Sequence, residues 1–211
     1  MAATCVAVLV GALTSGCTGL TSASAERRYY AIQVPSPLAA KPAESAPILL
    51  VRRFEISAPY ERSEFVYRTG DSTYECDFYN AFSASPADQV TGQTQQFLAA
   101  TGLFSRVLGA QALPDAAGTP QAQYVLDGNV VSLYGDYRDG AAPKAVLELG
   151  VFLLRMEGNA PRIVAQDGYR MEVPLAESGP GALVKGWDEA LGRALADLVQ
   201  ELRKLNLGGH P

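Results

Sequence analysis

The sequence predicts a layered α/β (α+β) domain, in which a mixed, largely antiparallel central sheet carries two main helices. Segments with strand patterns come in two groups, and each group is followed by a segment with a helical pattern. That order places two helices on one sheet. A composition of 48% hydrophobic and 18% charged residues is typical of a folded core rather than of a disordered chain.

The first group of strands covers residues 29–37, 48–56, 64–70 and 72–82. The run "ILLVRRFEI" at 48–56 is almost continuously apolar, which favours an internal strand. Residues 64–70 and 72–82 form a hairpin about Gly70–Asp71. Within 72–82 alternation places Tyr74, Cys76 and Phe78 on one face, and Glu75, Asp77 and Tyr79 on the other.

The first helix is predicted over residues 85–102. Ser85 is a suitable N-cap, Pro86 suits the first helical position and Gly102 suits the end. Its apolar stripe is thin, which predicts packing on one side only. The stripe consists of Val90, Phe97, Leu98 and Thr101.

A second group of strands follows the helix. Residues 104–109 predict a short strand and 112–123 a loop, after which 124–138, 144–157 and 162–175 form an antiparallel meander. The sequence "GNAP" is the turn before the last strand. Gly128 and Gly135 predict a bulge or bend in the first of these three strands.

Residues 178–207 predict a long helix that packs on the core. Its apolar residues recur at spacings of three and four, which gives one apolar face over more than five turns. They are Val184, Trp187, Leu191, Leu195, Leu198, Leu202 and Leu205.

Several classes of function are disfavoured by composition. The single histidine, His210, lies one residue from the end, where it cannot serve a catalytic triad or a zinc site. No phosphate-loop, dinucleotide or Gly-x-Ser-x-Gly pattern occurs. The net charge of −5, without a run of Lys or Arg, disfavours nucleic acid as a partner. We expect a protein that is not an enzyme and binds no cofactor or metal.

The N-terminal stretch "LTSGCTGL" places Cys17 behind the charge-free residues 2–16. That apolar run is too short to span a membrane, but it suits a secretory signal. No Lys or Arg precedes it, so either the true start lies upstream or the signal is weak. Ser15 and Gly16 before Cys17 resemble a bacterial lipobox, with Thr14 where Leu is usual. The alternatives are an ordinary signal peptide with another cleavage site, or a free thiol in a disordered tail.

The lipobox reading divides the chain into four parts. Residues 1–16 are a signal peptide, 17–28 a lipidated flexible tether, 29–207 a single globular domain and 208–211 a tail. Three acyl chains on Cys17 would anchor the domain stably, since one chain alone holds a protein only marginally. Cys5 leaves with the signal and Cys17 is blocked, so Cys76 remains as a small half-buried residue without a disulfide partner.

Several motifs together resemble the ABC-type transport auxiliary lipoproteins, the PqiC-like group. They are the lipobox, "YYAIQVPSP", "ILLVRRFEI", the Val66-Tyr67-Arg68 core, the aromatic run Tyr74–Phe82 and the helix start at Pro86. Phe82 stands near a position where the family often has Trp. The resemblance implies a fold similar to the TolB N-terminal domain.

The same resemblance implies a docking or adaptor role in moving phospholipids across the envelope of a Gram-negative bacterium. The expected partners are an MCE (mammalian cell entry) domain protein and its permease and ATPase. Thr18, rather than Asp, follows the cysteine, which by resemblance implies the outer membrane, periplasmic face. The alternative is a ring-forming lipoprotein of a secretion or polysaccharide-export apparatus, with the chain as a homo-oligomer. An envelope hydrolase using carboxylates is the weakest hypothesis.

Residues 60–82 concentrate aromatic side chains, with four of the ten tyrosines and three of the seven phenylalanines. On alternating strands some of these must face away from the core, where exposed aromatics form an interface. The alternative is that the hairpin packs beneath a loop. The candidate partner contacts are Tyr67, Arg68, Tyr74, Tyr79 and Phe82. For Arg68 the sequence favours a local ion pair with Glu75 or Asp77 across the hairpin.

Overall fold

The computed structural model describes residues 26–109, 122–157, 160–205 and 207. The strands are β1 (Arg28–Tyr30), β2 (Ile48–Val51), β3 (Glu55–Ile56), β4 (Glu64–Arg68), β5 (Tyr74–Phe82), β6 (Arg106–Gly109), β7 (Tyr124–Asp136), β8 (Lys144–Glu157) and β9 (Ala160–Pro174). The helices are α1 (Pro86–Ala100) and α2 (Pro180–Lys204), with a short 3-10 helix at Ala58–Tyr60. The predicted mixed sheet with two helices packed on it is confirmed.

Strand β7 is the central strand of the sheet. One of its edges pairs along its length with β8, and β8 pairs with β9, in two long antiparallel ladders. The other edge of β7 is shared by three short parallel strands in succession, β2, then β3, then β4. Beyond them, β6 pairs with β2, while β5 and β1 extend the sheet from β4.

Helix α2 buries its apolar face against β8 and β9. The predicted stripe is buried from Val184 to Leu202, but Leu205 lies just beyond the helix and is exposed. Trp187 anchors the helix, because its indole meets Phe65 edge-on at 5.0 Å between ring centroids and lies 5.2 Å from Phe82. Burying an aromatic side chain of this size contributes strongly to a core.

Residues 31–40 cross over both helices as an extended segment, which we call the strap. Only Tyr29 and Tyr30 of the predicted 29–37 strand pair with another strand, as part of β1. Along the strap the backbone N–H groups instead donate to side chains: Ile32 to Gln89 and Val34 to Gln93 on α1, and Gln33 to Asp188 on α2. These side chains satisfy backbone donors that no neighbouring strand accepts from.

The predicted strand 48–56 is interrupted at residues 52–54, where the chain shifts along β7 from one pairing to the next. At the break the Phe54 N–H donates to Thr91 of α1 over 2.9 Å, and the Phe54 ring lies directly over Gly128. A β-carbon at residue 128 would overlap that ring. The predicted bulge in this strand is present, but it lies between Val130 and Ser132 and not at a glycine, and Gly128 instead makes room for Phe54.

Candidate interaction surfaces

The β4–β5 hairpin carries four of the five predicted contact residues at its surface or half-buried, and one in the core. Tyr74 and Tyr79 are exposed, while Tyr67 and Arg68 are half-buried. Phe82, at the end of β5, is only 3% exposed and packs on Phe65 at 4.7 Å between ring centroids. The structure therefore excludes Phe82 as a surface contact, because the rings of Phe65 and Trp187 pack against it.

Arg68 supports the tip of the hairpin instead of pairing with Glu75 or Asp77. Its guanidinium donates to the carbonyl of Gly70 over 3.3 Å and to that of Asp71 over 2.7 Å. It also lies over the ring of Tyr74, 5.7 Å from the centroid. The predicted ion pair is wrong because β4–β5 register sets Arg68 opposite Tyr74, within reach of the turn carbonyls.

Asp77 builds a bulge in β5. On one side of the bulge Phe65 pairs with Asp77, and on the other Glu64 pairs with Ala81, so residues 78–80 are extra. The Asp77 carboxylate accepts N–H groups from Tyr79 and Asn80 over 2.8 and 3.1 Å and the Asn80 side-chain amide over 2.7 Å. A bulge of this kind re-aims the side chains it carries.

The hydroxyl of Tyr67 completes this arrangement. It donates to Asp77 over 2.9 Å, and its ring meets Tyr137 edge-on at 5.2 Å. Burial, and then the neighbouring Asp77, raise the pKa of Tyr67. Burial alone would raise the pKa of Asp77, but the hydrogen bonds from Asn80, Tyr79 and Tyr67 hold it below its ordinary value. Tyr67 is therefore a support beneath the bulge.

The bulge presents two aromatic rings to solvent, and β1 adds a third. Phe78 is 68% exposed, Tyr79 49% and Tyr29 63%. The Arg27 guanidinium lies 5.7 Å from the ring centroids of both Tyr29 and Phe78, and it is held there by Glu64 at 2.7 Å. We call Arg27, Tyr29, Phe78 and Tyr79 the bulge patch. Its signal in the sequence is Asp77 followed three residues later by Asn80, which is typical of a local turn rather than of simple alternation.

A second group of tyrosines lies near the hairpin tip. Tyr134 of β7 stacks on Tyr60 at 6.1 Å and meets Tyr74 edge-on at 5.7 Å. Its hydroxyl accepts a hydrogen bond of 3.3 Å from Arg170 of β9, which also binds Glu148 and Glu172. We call Tyr60, Tyr74 and Tyr134 the tip cluster. Of the three, Tyr74 has the most exposed ring, at 46%.

An open groove of about 730 Å³ lies between the strap and α2. Pro35, Pro37 and Phe97 form apolar parts of its wall, and Asp188 lies at its floor beside the strap. Burial raises the pKa of Asp188, although the N–H of Gln33 partly offsets this.

Cys76 is exposed, not half-buried as predicted from composition. Strand β1 pairs only with the last three residues of β5, so residue 76 also lies on a free edge of the sheet. Cys17 lies outside the described residues, as do residues 158–159 of the predicted Gly-Asn-Ala-Pro turn. The prediction for the other half of that turn is wrong, since Ala160 and Pro161 pair with β8 as the start of β9.

Among residues that the structure describes, no group of three or more His, Cys, Asp or Glu side chains is arranged to hold a metal ion. Neither α1 nor α2, the helices of the described part, is long and apolar enough to cross a membrane.

Residues 30–199 match the model of a protein family described as ABC-type transport auxiliary lipoprotein component. No curated protein sequence matches the chain. Protein XCC0632 from Xanthomonas campestris, of the family DUF330, has a similar structure with a TM-score of 0.65 and 18% identity, over 82% of this chain and 92% of that chain.

Two further solved structures are similar. An uncharacterised protein aligns with a TM-score of 0.62 and 18% identity, over 84% of this chain and 99% of that chain. A PelC dodecamer from Paraburkholderia phytofirmans aligns with a TM-score of 0.44 and 14% identity, over 78% of this chain and 95% of that chain. The likenesses to XCC0632 and to the uncharacterised protein show a shared fold.

Proposed function

Since the chain belongs to the family of ABC-type transport auxiliary lipoprotein components, we propose that it is the lipid-anchored docking subunit of an MCE-type intermembrane phospholipid transport system. The family is one of transport auxiliary lipoproteins and not a class of enzyme. In this proposal Cys17 carries the lipid and the domain stands at the periplasmic face of the outer membrane. The MCE-domain protein is its direct partner, and a permease and ATPase complete the system.

The observation that carries the proposal is the family match over 30–199 downstream of the lipobox at Cys17. A lipid anchor and a folded domain on one chain are what a docking subunit requires, because the acyl chains fix the location and the domain supplies the contact surface. Each buried CH₂ of the acyl chains contributes about 0.8 kcal/mol to membrane attachment.

We assign the protein-binding surface to the hairpin tip around Tyr74. Its ring is held by Tyr134 on one side and by Arg68 on another, so its position is fixed before any partner binds. Aromatic and Arg side chains that are already ordered contribute disproportionately to binding energy, since little conformational entropy is lost. Tyr74 and Arg68 are the two predicted contacts that this surface retains.

The anchor is tested on the full chain in cells. Palmitate labelling and a mass measurement of the mature protein should show the lipid on Cys17, and globomycin should block its processing. The Cys17→Ala variant should appear in the soluble periplasmic fraction. An unmodified mature protein, or an unaltered membrane fraction for Cys17→Ala, would contradict the proposal.

The partner is tested by placing a photo-crosslinking amino acid at position 74 in the living envelope. The matched control is position 75, which is exposed on the same strand but points to the opposite face of the sheet. We expect a crosslink to an MCE-domain protein from position 74 and none from position 75. Equal yields from both positions, or no MCE-domain protein among the products, would refute the assignment.

The ring-forming export lipoprotein stays a prediction from the sequence. It requires a large homo-oligomer and a crosslinked partner from an export apparatus. Native mass measurement of the purified lipoprotein, together with the identity of the crosslinked protein, distinguishes the two functions.

A further inference from the structure

We propose that the bulge patch rests on the phospholipid headgroups of the membrane that holds the anchor, while the hairpin tip remains free for the protein partner. This inference rests on the proposed lipid at Cys17. It assigns the domain an orientation, with a membrane-facing end defined by Arg27, Tyr29, Phe78 and Tyr79.

The chemistry of the patch suits a bilayer surface. Its Tyr and Phe rings are the most exposed aromatics of the described residues. Tyr29 and Phe78 lie around the Arg27 guanidinium, and Tyr79 contacts Phe78. Aromatic rings with a polar tip are enriched at membrane–water interfaces, where the ring meets the acyl boundary and the hydroxyl stays hydrated. The Arg27 side chain is 32% exposed beside these rings, so its guanidinium can contact a headgroup phosphate while Glu64 holds its other side.

Two further arginines lie close in sequence to residues of the patch or its support. Arg28 and Arg62 are exposed, and the structure shows no ion pair to either within the described part of the chain. Arg62 lies two residues before Glu64, which pairs with Arg27. Arginines at this position favour the phosphate-rich surface of a bilayer over a purely apolar partner.

The short chain between Cys17 and the domain favours the membrane as the binding partner of the bulge patch. Nine residues, counting from Cys17, precede Glu26, and even fully extended they span only about 30 Å. Arg27 and Tyr29 follow Glu26 by one and three residues, so the bulge patch is the surface closest along the chain to the anchor. Tethering raises the effective concentration of the patch at the bilayer, so that a weak affinity is sufficient.

The bulge also fixes the geometry that membrane contact needs. Phe78 and Tyr79 meet edge-on at 5.4 Å, and Asp77 holds the backbone beneath them. The rings therefore project as a rigid pair, and docking on lipid orders few additional groups.

The test uses the full lipidated chain reconstituted into vesicles of phosphatidylethanolamine and phosphatidylglycerol, with a tryptophan reporter in the patch. Phe78→Trp places the reporter in the bulge, and Ile163→Trp places it at a comparably exposed site on β9, 55% exposed in the natural chain. The fully buried Trp187 adds a constant background emission, and the natural chain without a reporter is measured to subtract it. The vesicles carry either ordinary or brominated acyl chains, and bromine quenches indole emission at short range.

We expect brominated lipid to remove about half of the reporter emission from Phe78→Trp, as suits a ring at the headgroup–acyl boundary. Emission from Ile163→Trp should be unchanged. Vesicle flotation and a lipid mass on Cys17 are measured on the same samples. A chain that neither carries lipid nor floats refutes the proposed function.

A chain that floats while Phe78→Trp escapes quenching refutes this inference alone. Equal quenching of both reporters also overturns it, because the domain would then lie on the membrane without a preferred face. Emission that responds to purified MCE-domain protein and not to lipid assigns the patch to a protein partner, and overturns it as well.

Discussion

The hydroxyl of Tyr67 donates a hydrogen bond of 2.9 Å to Asp77, from one strand of the β4–β5 hairpin to the other. The same carboxylate accepts three further hydrogen bonds from Tyr79 and Asn80. One side chain thus holds the bulge that exposes Phe78 and Tyr79.

Replacing Asp77 with Ala should lower the free energy of unfolding by about 2 kcal/mol, because several hydrogen bonds to a charged group are lost while Tyr67 stays half-buried without its acceptor. The control is Glu75→Ala, which removes one exposed hydrogen bond that Glu75 accepts from the Thr69 hydroxyl and should cost no more than about 0.5 kcal/mol. Urea unfolding of both variants checks this. Equal midpoints would show that the bulge does not depend on Asp77.

Asp77 also predicts a dependence on pH. Its pKa is lower in the folded protein, so the carboxylate stabilises the fold at pH values above its unfolded pKa. That stabilisation is lost as the pH falls below about 3.8 and through the folded pKa. The difference in unfolding free energy between the natural chain and Asp77→Ala should therefore narrow on acidification. A constant difference down to the acid transition would contradict the assignment.

Phe82→Ala and Phe78→Ala should differ sharply, although both residues are phenylalanines of β5. Phe82 packs in the core against Phe65 and Trp187, so its truncation should cost about 3–4 kcal/mol. Phe78 projects into solvent, and its truncation should cost less than about 0.5 kcal/mol. Thermal or urea unfolding measures both, and similar losses would contradict the described orientation of the bulge.

Gly128→Ala should destabilise the protein by about 1–3 kcal/mol, because its β-carbon would overlap the ring of Phe54 and force the break between β2 and β3 to shift. Gly150 of β8 is a matched control, since nothing lies within 4 Å of a β-carbon placed there. Gly150→Ala should leave the urea midpoint unchanged or raise it. Equal urea midpoints for Gly128→Ala and Gly150→Ala would contradict the contact between residue 128 and Phe54.

The Asp188→Asn variant should have a free energy of unfolding at pH 7 at least as large as that of the natural chain. Burial raises the pKa of Asp188, so its charge destabilises the fold at neutral pH, whereas Asn keeps an oxygen that accepts the Gln33 N–H. Lys185, Glu189 and Arg193 line the same groove and remain in both proteins. As the pH falls through the folded pKa towards the ordinary value, the advantage of Asn should disappear. A variant less stable than the natural chain at pH 7 would contradict this account.

Periodicity in the sequence was enough to predict the long elements. Strand β8 runs from Lys144 to Glu157 as predicted, and α2 buries its predicted stripe through Leu202. Each of these elements is long and packs one face on the core, so its apolar residues recur with a period that can be read from the sequence.

The short strands could not be bounded in that way, because their ends are set by partners distant in sequence. The apolar run at 48–56 breaks where Phe54 must cross Gly128, over seventy residues away. The site was missed in part for a similar reason. Alternation alone places Phe78 and Tyr79 on opposite faces, whereas the Asp77 hydrogen bonds interrupt the strand and expose both rings.

The central position of β7 in the sheet affects the order in which the chain can fold. Strands β2, β3 and β4 share β7 as a neighbour, β7 in turn pairs with β8, and α2, which packs on β8 and β9, is the last element of the described chain. Contacts between residues so far apart in sequence slow folding, because the chain loses loop-closure entropy before the strands can pair. We therefore expect an N-terminal half without residues 124–136 to lack the strand on which β2, β3 and β4 pair, and to complete its sheet only once the last third of the chain is present.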